Sequence, residues 1–372
     1  MEEQKRIAQE IWTELEGLPV ADCWAVPTLG GMSPTNPWEC VRSAEKKRVA
    51  RWLSHENSRN PEEYSDFEAL SAWEKLRLLC PGMGADQWSR EEWKWMQVEE
   101  ENIQDRWCFG TEFLSGLPEA WEPWFAAQRV TALYLPMPPE SKLFRRRFDI
   151  EALLENADGS RPLADWIREL GEQMVEDGEP PHVYLRLPSR YQRPDPYHAG
   201  EAFRKMTEGK PLSEETITAL RLQVLIDLLI RLPKELTPVI HWEGDLNSEG
   251  SRQSFAYLTE RKLLRGEIRL KTKLGGHPRE WMEAYETEDP RIQTFPELVL
   301  SVSDFTERMA DELTCLAREY PLGGIRLGGI ETDGVTFFIG HRLFRKCLSE
   351  VLTNLGCTKE QACLLARKML AV

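Results

Sequence analysis

The feature that most constrains this chain is an alternation that begins near residue 130. Short apolar runs recur, and amphipathic helices lie between them. The runs are Val130–Pro136, His182–Pro188, Pro238–Gly244, Glu267–Leu274, Glu297–Val302 and Ile325–Ile330, with a weaker one over Phe144–Ile150. An earlier run, Val20–Val26, follows Gly17 and Pro19. Runs of this length read as buried strands, and strands that alternate with helices require a parallel sheet. Eight of them favour a closed barrel over an open doubly wound sheet. No glycine-rich dinucleotide fingerprint follows any strand, which weighs against a Rossmann domain. The expected fold is α/β, a (β/α)8 TIM barrel with a helical insertion after strand 1, spanning residues 1–372 as one domain.

The helices carry their own punctuation. Residues 3–16 read as a charged surface helix. In the segment after Pro211, Ser213 is placed to cap a helix. Ile217, Leu220, Val224, Leu225, Leu228 and Leu229 form its apolar stripe, and Pro233 ends it. A further helix is expected over Asp304–Arg318. Another runs from about His341 and stops at Gly356, and the last starts at Thr358 with Gln361 completing a capping box. Between the first two strands lies a long segment, 27–128. Eleven of the fourteen tryptophans precede Val130. Phe67, Leu70, Trp73, Leu76 and Leu79 share one helical face there, so the segment reads as a Trp-rich helical insertion within the barrel.

Charge narrows the partners. The formal net charge is −15 over 372 residues. Such a surface repels nucleic-acid phosphates and anionic lipid headgroups. The one dense basic run, Arg145-Arg146-Arg147, reads as a solvated turn or a local anion contact. No secretion signal is apparent at the start, and no apolar run approaches the ~18–20 residues of a membrane span. The eight cysteines include no Cys-x-x-Cys pair. Together these features place the expected protein in the cytoplasm, a reducing compartment. They point to neither a nucleic-acid nor a membrane partner, and they leave a homo-oligomer open.

In a barrel of this kind the chemistry sits at the C-terminal strand ends. The first strand leads into Cys23 and Trp24, which read as packing at the barrel mouth. The fourth offers Arg186, either a clamp for a carboxylate or a member of a structural ion pair. The fifth offers His241, Glu243 and Asp245, which a two-residue period puts on one side. These could bind a metal or shuttle protons, although a lone histidine is often structural. On the sixth, Glu267, Arg269, Lys271 and Lys273 alternate with apolar residues. They face either the interior, where the lysines need an anion such as Glu243 or a bound acid, or solvent along an edge. The eighth runs into Asp333, a base, a metal ligand or simply part of an Asp-Gly turn.

This order of features resembles uronate isomerase, of the amidohydrolase superfamily. The likeness is clearest over the last ~80 residues, where a Thr-Asp turn leads into a helix opening His-x-x-Phe-Arg. Here Thr332, Asp333, His341, Phe344 and Arg345 stand in register. The fifth-strand segment Val239–Gly244 is similar to the family's strand ending His-Ile-Gly, with His241 as the match. The resemblance implies a divalent metal, usually zinc, held by a first-strand His-x-His and by the aspartate that Asp333 matches. It also implies interconversion of an aldohexuronate and a ketohexuronate. The family's Asp-x-His-x-His is here Asp22-Cys23-Trp24-Ala25-Val26, so both histidine ligands are absent. Gly334 and Val335 follow Asp333 where the family has Ser-Arg. One aspartate does not make a zinc site, which takes three protein ligands or more.

Three readings follow. The first is a non-catalytic or repurposed relative that keeps a pocket for a sugar acid or other small anion and has no assigned cofactor. The second is an active sugar-acid isomerase with little or no metal. There His241, Glu243, Asp333 and Lys271 move protons, while Arg186, Lys273 and Trp24 line the substrate. The third is an interaction module built on the tryptophan-rich insertion.

Overall fold

The structure is a computed structural model that describes residues 2–23, 129–135, 144–176, 178–187, 190–272, 274, 279, 282–301, 309–331 and 335–370. The expected insertion at 27–128 lies outside them, as do Trp24, Lys273 and Asp333. The strands are β1 (Val20–Asp22), β2 (Val130–Leu135), β3 (Phe144–Asp149), β4 (His182–Leu187), β5 (Val239–Gly244), β6 (Gly266–Thr272), β7 (Ile292–Ser301) and β8 (Arg326–Glu331). They lie in sequence order in one sheet, and every described ladder is parallel. No ladder between β8 and β1 occurs among the described residues.

The sheet curls around a shared interior. Tyr184 on β4 donates its hydroxyl to the Cys23 carbonyl, and Arg269 Nη1 on β6 lies 3.4 Å from Cys23 Sγ. Side chains from β4 and β6 therefore meet the segment that follows β1. The described helices are α1 (Glu2–Glu16), α2 (Ile150–Glu155), α3 (Leu163–Glu176), α4 (Pro196–Thr207), α5 (Glu214–Arg231), α6 (Glu249–Glu260), α7 (Met309–Glu319), α8 (Val335–Asn354) and α9 (Lys359–Leu370), and α2 to α6 share a core with the opposite face of the sheet. Alternation decides the faces. Val183 and Leu185, Ile240 and Trp242, and Ile268 and Leu270 join one core with Leu220, Leu225, Leu228 and Phe255 from the helices.

The helix signals act as the sequence suggests. Thr216 N donates to Ser213 Oγ at 3.2 Å. Thr358 and Gln361 exchange two hydrogen bonds in a capping box. Gly356 ends α8 with φ 72°, a left-handed turn in which Cys357 N donates to the Leu352 carbonyl. Two boundaries differ. α8 begins at Val335, not His341, because the β-branched and aromatic residues Val335–Ile339 have weak helix propensity and do not announce a helix. β7 begins at Ile292, not Glu297. Pro296 argues against a strand there, yet the ladder runs through it, with Leu270 opposite.

Candidate site in the sheet interior

The residues that point away from the helices are polar, and they meet. β4 contributes His182 and Tyr184, β5 His241, β6 Arg269 and β7 Glu297. Parallel register sets Tyr184, His241 and Arg269 side by side. His241 is the hub. Its Nε2 lies 2.9 Å from His182 Nδ1, and its Nδ1 hydrogen-bonds Glu297 Oε2 at 2.9 Å. The Tyr184 ring stacks on His241 with centroids 3.9 Å apart and planes 3° from parallel. Tyr134 covers His182 at 4.1 Å. The Arg147 guanidinium sits 4.8 Å above the Tyr184 ring. His182, His241 and Arg269 are each 2% exposed and Glu297 1%, so the cluster is part of a packed interior.

Arg269 supplies the counter-charge. Its Nε donates to Glu267 Oε1 at 2.7 Å, and its Nη1 lies 3.7 Å from Glu297 Oε1. That Glu297 oxygen is also 2.7 Å from His241 Nδ1, yet Oε1 makes no hydrogen bond. A buried carboxyl oxygen with no donor favours the protonated acid. Burial accordingly pushes Glu297 up to about 7, against the pull of Arg269 and Lys271. Burial, reinforced by Arg269, holds both histidines well below the ordinary imidazole value. Burial likewise drives the Cys23 thiol up to about 12, which leaves it an inert core group.

These shifts give stability a signed pH dependence. The folded chain keeps His182 and His241 neutral where the unfolded chain protonates them, so stability falls as pH drops below 6.5. Glu297 works oppositely. Its folded value of about 7 exceeds the ordinary 4.5, so its contribution is lost between about pH 4.5 and 7. The two histidines outweigh it, and urea midpoints are expected to rise toward about pH 7 and level off above it. Glu297→Gln should steepen that rise. A variant profile that parallels the unmodified protein between about pH 5 and 7 would refute the assignment.

The residues singled out from sequence separate into two groups. His241 is buried in the interior row, with both ring nitrogens engaged. Glu243 and Lys271 pair at 2.5 Å near the C-terminal strand ends, both largely buried. Arg186, opposite Glu243 in the β4–β5 ladder, is exposed. The sixth strand is thus neither an edge nor solvated, because Arg269 and Lys271 face inward, between β5 and β7. Asp245 sits beyond β5 in a turn and accepts from Asn247 N at 3.0 Å. Arg345 on α8 is buried and donates to the Leu18 carbonyl at 3.2 Å, a structural tie.

Sequence reasoning missed His182, Tyr184 and Glu297 as members of one cluster. The usable signal was the two-residue period. In β4 it aligns His182 with Tyr184, and in β6 Glu267 with Arg269, but only register brings the two strands' polar sides together.

Among the described residues, no group of three or more His, Cys, Asp or Glu is arranged to hold a metal ion. The described donors do not fit one: both His241 nitrogens and His182 Nδ1 are already hydrogen-bonded.

No family model matches the chain, and no curated protein matches its sequence. Its fold is similar to solved ones. An inferred metal-dependent hydrolase from Lactobacillus casei ATCC 334 is 10% identical, with TM-score 0.54 over 97% of this chain and 95% of that one. Glucuronate isomerase from Caulobacter crescentus is 11% identical, with TM-score 0.52 over 99% of this chain and 92% of that one. Likeness at this identity concerns the fold alone.

Proposed function

We propose that this chain is a repurposed uronate-isomerase-like protein. In this reading its eight strands close into a (β/α)8 barrel, its interior is sealed by polar side chains in place of a metal, and its C-terminal strand ends receive a small organic acid. The observation that carries it is the full commitment of His241. The histidine that matches the family's fifth strand spends both nitrogens on Glu297 and His182 and offers nothing to a ligand. Closure is supported by Arg345, which ties the helix after β8 to the Leu18 carbonyl before β1, and by the Lys359–Glu14 pair at 2.6 Å. The acid-binding end is supported by Arg186 and Lys271, on the two strands that flank β5 and its carboxylate, Glu243. In the sequence, Trp24, Lys273 and Asp333 come just after the first, sixth and eighth strands. The described free cysteines and a fold in which no described helix is long and apolar enough to cross a membrane accord with a cytoplasmic setting.

The test is to load the purified chain with zinc, remove the excess, and measure bound metal together with turnover of glucuronate. Substoichiometric zinc, no metal-dependent turnover, and glucuronate binding that weakens roughly ten- to hundredfold in Arg186→Ala are expected, since a bidentate carboxylate contact contributes about 1.5–3 kcal/mol. One tightly held zinc per chain with metal-dependent isomerisation would overturn the reading.

A second reading is favoured by the Glu243–Lys271 pair, a carboxylate and an ammonium at 2.5 Å where a substrate would lie. That pair is a candidate acid–base couple for metal-free aldose–ketose interconversion. It requires turnover that persists in chelator and falls by roughly 100-fold in Glu243→Gln.

A further inference from the structure

The row of acids and bases inside the sheet has no part in the acid-binding end proposed above, and its geometry does something of its own. We infer that Glu297, His241 and His182 form a single proton-holding switch, in which one proton gained or lost reverses every hydrogen bond along the row.

The argument starts from hydrogen-bond polarity. Each contact, 2.9 Å from His182 Nδ1 to His241 Nε2 and 2.9 Å from His241 Nδ1 to Glu297 Oε2, needs one proton. Two arrangements satisfy both contacts with neutral rings when the Glu297 proton, where present, lies on Oε2. In one, Glu297 is ionised and accepts from His241 Nδ1–H, while His241 Nε2 accepts from His182 Nδ1–H and His182 Nε2 is bare. In the other, Glu297 carries the proton and donates to His241 Nδ1, His241 Nε2–H donates to His182 Nδ1, and His182 Nε2 holds the third proton. They differ by one proton. A proton arriving at His182 Nε2 releases the Nδ1 proton to His241 Nε2. His241 in turn releases its Nδ1 proton to the Glu297 carboxylate. Two N–H bonds break, two N–H bonds and one O–H bond form, and no electrons change hands.

The surroundings favour a proton shift over ring motion. Tyr184 lies flat on His241 and Tyr134 covers His182, so neither imidazole has room to turn over. The charged and titratable groups that face the row are Arg269 and Lys271 from β6, Arg147 from β3, Tyr184 from β4, Tyr134 from β2, and Cys23 after β1. Against burial, the neighbouring Cys23 and Glu297 push the Arg269 guanidinium upward. Burial keeps the two phenols and the thiol protonated well above it. Among these groups, the pH change is taken up by the row itself.

The experiment is nitrogen NMR on the full chain with its six histidines selectively labelled, followed from about pH 5.5 to 9, a range that brackets the shifted Glu297 value. As pH rises, the protonated nitrogen of His241 should change from Nε2 to Nδ1. That of His182 should change from Nε2 to Nδ1 with the same midpoint. In Glu297→Gln both rings should keep one tautomer across the range. Circular dichroism and a urea midpoint at pH 6 confirm that the variant is folded. Tautomers that stay fixed in the unmodified protein would overturn the switch. So would histidines that become imidazolium with separate midpoints, or a pH response that survives in the folded variant.

Discussion

Replacing Arg269 by methionine is expected to destabilise the fold by about 3 kcal/mol at pH 8 and by clearly less at pH 6. Methionine fills a similar volume along the aliphatic stem, so the loss is electrostatic more than steric. At pH 8 the variant must either bury the Glu297 carboxylate without its nearest cation or hold a proton there against the solution. At pH 6 Glu297 is already largely protonated, since burial places it at about 7 with Arg269 present. Removing the arginine then leaves fewer buried charges to satisfy. Glu267 also loses its 2.7 Å partner but keeps Arg326 at 3.2 Å. The measurement is the urea midpoint of both proteins at the two pH values. A loss that is equal at both, or larger at pH 6, contradicts the charge pairing assigned to Arg269 and Glu297.

Gly328→Ala should cost a further ~3 kcal/mol or prevent folding, for a steric reason. The β7–β8 register shifts between Leu298 and Val299, and Gly328 is the extra residue on β8. The Glu297 side chain lies directly over it. An alanine Cβ at 328 would stand 2.5 Å from Glu297 Cδ and 2.7 Å from its Oε1. Glu297 cannot swing away, because His241 and Arg269 hold it from the other side in a close-packed interior. The informative control is the double variant Gly328→Ala with Glu297→Ala, which removes the obstruction. If glycine is needed only to admit Glu297, the second change should recover part of the loss caused by the first, giving a favourable coupling. Strict additivity would mean that Gly328 is needed for some other property of the strand.

The two predictions converge on Glu297, a residue that looks from sequence like the start of an ordinary apolar strand. What surrounds it explains how far the sequence could be read. The strand order, the parallel sheet and the helix caps were legible because each rests on short-range physics. A two-residue period picks a strand's buried face, Ser213 and Thr358 bond to amides three residues on, and Gly356 takes a left-handed turn. The inward set Glu267, Arg269 and Lys271 was legible as a stripe, although one strand alone does not say whether such a stripe meets solvent or partners.

The meeting of that stripe with others is a tertiary decision. His182, His241 and Glu297 are separated by 59 and 56 positions in the chain. No local pattern ties them, because their contact depends on the stagger of parallel strands and on the curl that brings β4 and β6 toward Cys23. The same curl turned His241 from an apparent strand-end ligand into a buried relay between an acid and another imidazole, while Glu243, two residues further along the same face, came to lie at the strand ends against Lys271. The sequence by itself determined the layered α/β architecture, since that is a property of residue type and spacing. Only the tertiary structure decided which polar side chains share the interior, because burial makes an unpaired charge too costly and forces each to find its partner across strands.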